Sequence, residues 1–209
     1  MKTSRTALLS AFALVATLVS VQAQETTVPG TTEDPAQEQE APVDDTLSLG
    51  EEIDESGPKI GEPYAKERNG AWELRCIRVE EGEEPCQAYQ LISDTEGVPV
   101  AEFSMFKLKD GGRAEAGATV VVPLETALQQ QLTITVDGGA ARRYPFAFCN
   151  QIGCYSRIGL TAEDIAGFKR GATARITIVP ALAPDQKVEL DMSLSGFTRT
   201  YDQVSVVEQ

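Results

Sequence analysis

The segment Cys149-Asn150-Gln151-Ile152-Gly153-Cys154 constrains this chain more than any other. Two cysteines with four residues between them can close a small ring, and Gly153 supplies the backbone freedom to turn inside it. Tyr144-Pro145-Phe146-Ala147-Phe148 leads in, placing Tyr144, Phe146 and Phe148 on one face of an extended segment. Leu160-Thr161-Ala162-Glu163-Asp164-Ile165 and then Gly171 follow. The reading is a strand, a pinned turn, a return strand and a short helix. It describes an architecture and names no reaction.

Residues 1–23 read as an export signal. Lys2 and Arg5 give a positive start, Ala7 to Val19 is an apolar run, and Val21-Gln22-Ala23 is an A-x-A-like cleavage site. The run is too short to span a bilayer comfortably. No cysteine follows the site, so a lipoprotein anchor is not expected. Cleavage after Ala23 and a periplasmic or secreted location, with outer-membrane association as a variant, are the expectation.

Charge divides the remainder. Residues 24–62 hold twelve acidic residues against Lys59, whereas residues 63–209 hold 20 acidic and 15 basic residues. The stretch 24–65 is rich in Glu, Thr, Pro, Gln and Asp and poor in large apolar residues. It reads as a disordered acidic linker, because it cannot bury enough surface to offset its ordering entropy. Leu47, Leu49 and Ile53 interrupt it only faintly. An acidic surface repels nucleic acid and anionic lipid, so neither is an expected partner. No second hydrophobic run approaches a membrane span, and no transmembrane segment is expected in the mature chain.

From Trp72 the texture becomes that of strands. Trp72 to Cys76, Cys86 to Ile92, Val98 to Leu108, Thr119 to Val122, Leu132 to Val136, Arg143 to Cys149, Arg175 to Val179 and Val188 to Leu194 alternate or are β-branched. Turn residues separate them, including Glu80 to Glu84 with Gly82, Asp110-Gly111-Gly112 and Asp137-Gly138-Gly139. One helix is predicted, with Thr161 and Asp164 as a capping-box-like start and Gly171 at its end. Short strands with Gly/Pro turns predict an all-β sandwich or small barrel over residues 66–209.

The chain contains no histidine. Ser-His-Asp and Cys-His catalysis and histidine metal sites are thereby excluded. The four cysteines, Cys76, Cys86, Cys149 and Cys154, are expected to be paired in an exported chain. Three pairings are possible. Local closure is favoured because each pair flanks a turn, although the two long-range pairings stay open. Catalytic redox activity at Cys149/Cys154 would call for C-x-x-C at a helix N-terminus, which is absent, so a structural disulfide is expected there. Spacings of nine and four do not match a zinc ribbon. The carboxylates Glu163, Asp164, Asp185, Glu189 and Asp191 show no clustering that suits glycoside hydrolysis. No catalytic residue, cofactor or metal is expected.

Several of these residues resemble the invasion-associated locus B family, exported proteins of alphaproteobacteria. They are Trp72 and Cys76, Cys86, Pro123-Leu124, Val136 to Gly139, Pro145-Phe146 before Cys149, Gly153-Cys154, Gly171 and Leu194-Ser195-Gly196-Phe197-Thr198. The resemblance runs from about Gly70 to Val204. It implies an immunoglobulin-like β-sandwich with two local disulfides, an envelope or secreted location and, in pathogenic members, a part in entering host cells. It brings no catalytic residues.

Three functions compete. The leading one is a non-enzymatic envelope or secreted protein acting through its surface, in host-cell association where a host is involved. The others are a periplasmic inhibitor or chaperone-like module using a sheet edge, and an enzyme, either a thiol oxidoreductase or a carboxylate hydrolase. The partner, an unknown protein or envelope component, and the oligomeric state are not readable from residues.

Overall fold

A computed structural model describes residues 57–109 and 112–208. The expected export signal and residues 24–56 of the acidic linker lie outside them. The described part holds twelve strands in two sheets. The strands are β1 (Pro63–Asn69), β2 (Trp72–Ile77), β3 (Cys86–Ser93), β4 (Pro99–Lys109), β5 (Ala116–Val122), β6 (Leu132–Val136), β7 (Arg142–Tyr144), β8 (Phe146–Cys149), β9 (Cys154–Leu160), β10 (Thr173–Ile178), β11 (Val188–Ser193) and β12 (Val206–Glu208). The larger sheet runs β1-β2-β3-β4-β5-β9-β8, with β12 parallel to the end of β4. The smaller runs β11-β10-β6-β7. This is the all-β sandwich that the alternation predicts.

Period-two patterning sets the inner faces. Registers align Leu74, Ala88, Met105, Ala118 and Ile158 in one row across the large sheet, all buried. Large and small residues alternate along that row, which lets side chains from the opposite sheet interdigitate. Ile134, Ile176, Leu190 and Met192 of the small sheet belong to the same core. Two helices lie with this core. The predicted helix is α1 (Ala162–Arg170), whose Thr161/Asp164 capping box is formed in both directions. A second, six-residue helix, α2 (Phe197–Asp202), was not legible. Trp72 meets Phe103 and Phe197 edge-on, and Phe168 joins the same aromatic cluster.

Two segments differ from the sequence reading. Arg143 to Cys149 is not one strand: Arg142–Tyr144 pairs with β6 in the small sheet, and Phe146–Cys149 pairs with β9 in the large one. Pro145 stands between them. It has no N–H for a ladder, so it serves as the corner where the chain changes sheets. Strand β1 opens at Pro63, three residues inside the stretch 24–65 read as lacking structure. Its polar sequence hides it: β1 is an edge strand with a bulge between Ala65 and Glu67.

The Leu194 to Thr198 motif is a packing device. Gly196 has φ +89°, and a Cβ there would stand 1.8 Å from the Asn69 carbonyl oxygen. Gly70, at φ +59°, is pressed in the same way against Ser195, whose carbonyl accepts the Ala71 N–H at 3.1 Å. Only glycine permits two turns to approach this closely in that conformation. The contact seats Phe197, which is fully buried.

Candidate interaction surface

The cysteines form two local pairs. Cys76 faces Cys86 across the β2–β3 ladder and Cys149 faces Cys154 across β8–β9, each with its sulfurs at disulfide distance. The first pair is inside the sandwich. Cys76 is fully buried and Cys86 8 % exposed, and Ser205 brackets Cys86 through its hydroxyl at 2.8 Å and its N–H at 2.9 Å. In the second pair Cys154 is buried and Cys149, on the edge strand, is exposed.

The carboxylates singled out above fall into separate places. Asp164 accepts from the Thr161 N–H at 2.9 Å and pairs with Arg142 at 3.1 Å, so it caps α1. Glu163 shares that first turn, and Asp185 lies in the loop before β11. Glu189 and Asp191 come together on the outer face of the small sheet, where both hold Arg175, at 3.4 and 2.9 Å. That face forms a polar depression of about 430 Å3 with Thr135, Asp137, Thr173 and Thr177. Among the described residues its single cation is thus paired with two of its three carboxylates. Donating hydrogen bonds to Asp191 raises the Arg175 pKa further. Asp137 is occupied as well, accepting the N–H groups of Ala172 and Thr173. Among the described residues no group of three or more cysteine, aspartate or glutamate side chains is placed to hold a metal ion.

Among the described residues, three of the four sheet edges give little purchase for a passing strand. Strand β1 is bulged, and Glu67 in it is engaged by Arg199 of α2 at 2.6 Å. Hydrogen bonding from Gln203 holds the Glu67 carboxyl below its usual range. Strand β8 is bulged and follows Pro145. At the β11 edge, Ser193 is already bonded by Gln90 and Trp72, and the rest of that edge carries Glu189 and Asp191. These are the devices by which edges avoid pairing.

One end of the sandwich is different. Val98 in the β3–β4 turn, Leu124 after β5, Ile152 in the second cysteine ring and Leu182 in the β10–β11 loop are all exposed there, Ile152 by 76 %. Connections of the chain bring them together. Gly153 lies so close to the Val122 carbonyl that a Cβ would approach it to 2.4 Å. The Ala181 N–H donates to the Glu125 carbonyl at 2.7 Å, which places Leu182 beside Leu124. An open groove of about 250 Å3 runs from this end along the large sheet, lined by Leu91, Pro99, Val100, Val121, Pro123 and Ile152. It is too small and open to enclose a metabolite but fits one or two apolar side chains.

The turn that presents Ile152 is fixed locally. Asn150 Oδ1 accepts the Ile152 N–H at 2.8 Å, and the Asn150 N–H donates to the Gly153 carbonyl at 3.0 Å. Asp94 and Glu96 share the turn of Val98 and Glu125 follows Leu124; no lysine or arginine occurs in residues 94–98, 123–127 or 150–153, whereas the Leu182 loop carries Asp185 and Lys187. Sequence reasoning singled out the ring but not the surface it belongs to. The available signal was an isoleucine inside a tight polar turn.

Comparisons with known proteins agree with this fold. The model of the family described as Invasion associated locus B (IalB) protein matches residues 72–205. Invasion protein B homologs of two Brucella abortus strains are each 26 % identical over 97 residues, 46 % of this chain and 54 % of theirs. The chain thus spans about half the length of those relatives. The crystal structure of invasion associated protein b from Bartonella henselae aligns with a TM-score of 0.53 at 20 % identity. That alignment covers 64 % of this chain and 91 % of the other, and at this identity it is a likeness of fold.

Proposed function

This chain belongs to the invasion-associated locus B family, and we propose that it is an exported, non-enzymatic protein that binds a protein partner through the apolar, acid-rimmed end of its sandwich. The leader 1–23 directs export, and the protein works in the periplasm, at the envelope or outside the cell. Both cysteine pairs are disulfides, as an oxidising compartment favours. The relatives are named for invasion, which agrees with a role in host-cell association.

The single observation that carries the reading is the gathering of Val98, Leu124, Ile152 and Leu182 at one end with an acidic rim. Scattered single apolar residues are ordinary, whereas several exposed at one end of a domain beside an apolar groove suit an interaction site. The rim selects a partner that sets basic residues around apolar ones, and it disfavours anionic lipid. By contrast, in the polar depression of the small sheet the one cation among the described residues, Arg175, is held in ion pairs with Glu189 and Asp191.

The test is attachment of the purified mature protein to isolated envelopes and to host-cell membranes. Ile152→Ser combined with Leu124→Ser should abolish attachment while the thermal midpoint stays within about 2 °C, since both side chains are exposed. Unchanged attachment would place the binding surface elsewhere.

A further inference from the structure

The two cysteine pairs differ in what a nucleophile in solution can reach. Cys76 and Cys86 lie beneath the large sheet, and the Ser205 segment leading into β12 closes over Cys86 through two hydrogen bonds. Cys76 is fully buried and Cys86 only 8 % exposed, so both are far less open to attack than a residue on an exposed edge strand. Cys149 stands at the end of β8, which pairs with β9 on one side and, among the described residues, with no strand on the other. It is exposed, and its partner Cys154 is 1 % exposed.

We propose that the Cys149–Cys154 bond is a site of thiol–disulfide exchange with an external dithiol protein, and that Cys76–Cys86 is not. The attacking thiolate forms a bond to Cys149 Sγ, the Cys149–Cys154 bond breaks, and its electron pair leaves on Cys154, which takes up a proton. The second thiol of the dithiol then attacks its own sulfur in the mixed disulfide and releases Cys149 as a thiolate. Two electrons have moved: the dithiol is oxidised to a disulfide and the ring is reduced. Attack is directed to Cys149 because it is the exposed residue of the pair.

The reduced state is a folded one. Cys154 as a thiol behaves as a small apolar residue and suits its buried position. The turn keeps its own hydrogen bonds, from Ile152 and Gly153 N–H to Asn150 Oδ1 and from Asn150 N–H to the Gly153 carbonyl. What is lost is the covalent tether that holds Ile152 against the groove with Pro123 and Leu91. Exchange would therefore loosen one wall of the interaction surface and leave the core stapled. That consequence rests on the proposed function, whereas the reactivity of the ring does not.

The experiment is graded reduction of the oxidised mature protein with dithiothreitol under native conditions, followed by alkylation and peptide mapping. Near-ultraviolet circular dichroism of the same samples reports the fold. Cys149 and Cys154 should become alkylated at a dithiothreitol concentration at least tenfold lower than Cys76 and Cys86, with the dichroism retained. Simultaneous labelling of all four cysteines, labelling of Cys76 and Cys86 first, loss of dichroism with the first bond, or no labelling below the unfolding concentration would each overturn the proposal. Envelope attachment of the singly reduced protein is read separately. Unchanged attachment despite selective reduction would remove the link to the surface and leave the exchange site standing.

Discussion

Gln90 and Ser193 exchange two hydrogen bonds between the sheets: Gln90 Nε2 donates to the Ser193 carbonyl at 2.8 Å, and the Ser193 N–H donates to Gln90 Oε1 at 3.0 Å. A side-chain amide of the large sheet thus stands in for a neighbouring strand at the edge of the small one. Trp72 Nε1 donates to the same carbonyl at 2.8 Å. Gln90 is 5 % exposed, so water cannot replace it. Gln90→Ala should cost about 2 kcal/mol, the penalty for a buried N–H left without a partner. Urea unfolding with an unchanged m-value is the measurement, and a loss below about 0.5 kcal/mol would show that the amide is dispensable.

Gly196→Ala tests the close approach of the two turns. The added Cβ meets backbone, which cannot swing away, and the residue is held at φ +89°. A loss above about 4 kcal/mol, or no folded protein, is expected. Gly138→Ala is the control, because Gly138 has φ +71° and open space around it. It should cost only about 1 kcal/mol. Equal losses at the two positions would mean that conformation, and not contact, sets the cost.

Strands whose inner face is buried were legible. Trp72 to Cys76, Leu132 to Val136 and Val188 to Leu194 show the alternation that one-sided burial imposes, and each has the expected face inward. The capping box of α1 was legible because its chemistry is local. Features held by distant partners were not. Helix α2 depends on Gly196 fitting under Asn69, and β1 is a polar edge recognisable only beside β2. The split at Pro145 was hidden because aromatic residues continue on both sides of it. The end surface was invisible for a related reason: Val98, Leu124, Ile152 and Leu182 are unremarkable one at a time, and only the fold collects them.

Glu84 gives the domain a predictable response to acid. It accepts from Tyr64 Oη at 2.5 Å and from Arg78 at 2.6 Å, with Lys66 at 3.3 Å. The Tyr64 hydrogen bond, followed by the two cations, holds its carboxyl below the ordinary value of 4.5. A depressed folded pKa stabilises fully above the unfolded value and is lost as pH falls through that value toward the folded one. Glu84→Gln should therefore reduce the drop in thermal midpoint between pH 6 and about pH 3. An identical drop in both proteins would assign acid sensitivity to other groups.

The two rings should contribute comparably to stability despite their different exposure. Chain entropy gives about 3 kcal/mol for the ring closed by Cys76 and Cys86 and about 2 kcal/mol for that closed by Cys149 and Cys154. The double replacement Cys149→Ala with Cys154→Ala should stay folded at the lower cost. Cys76→Ala with Cys86→Ala should cost more than its ring entropy, because it also opens a cavity at two buried positions. Equilibrium unfolding of both variants decides, and a larger loss for the Cys149/Cys154 variant would contradict this order.

The most direct test of partner binding at the apolar end is position-specific photo-cross-linking in intact cells. A photoreactive amino acid is placed in turn at Ile152, Leu124 and Leu182, and at Arg175 and Thr135 on the polar face of the small sheet. Discrete adducts of one molecular mass from the first three positions, absent from the last two and lost when Glu96 and Glu125 are replaced by Lys, are expected. Adducts from the polar face alone, or none from the three apolar positions, would contradict the assignment of the binding surface.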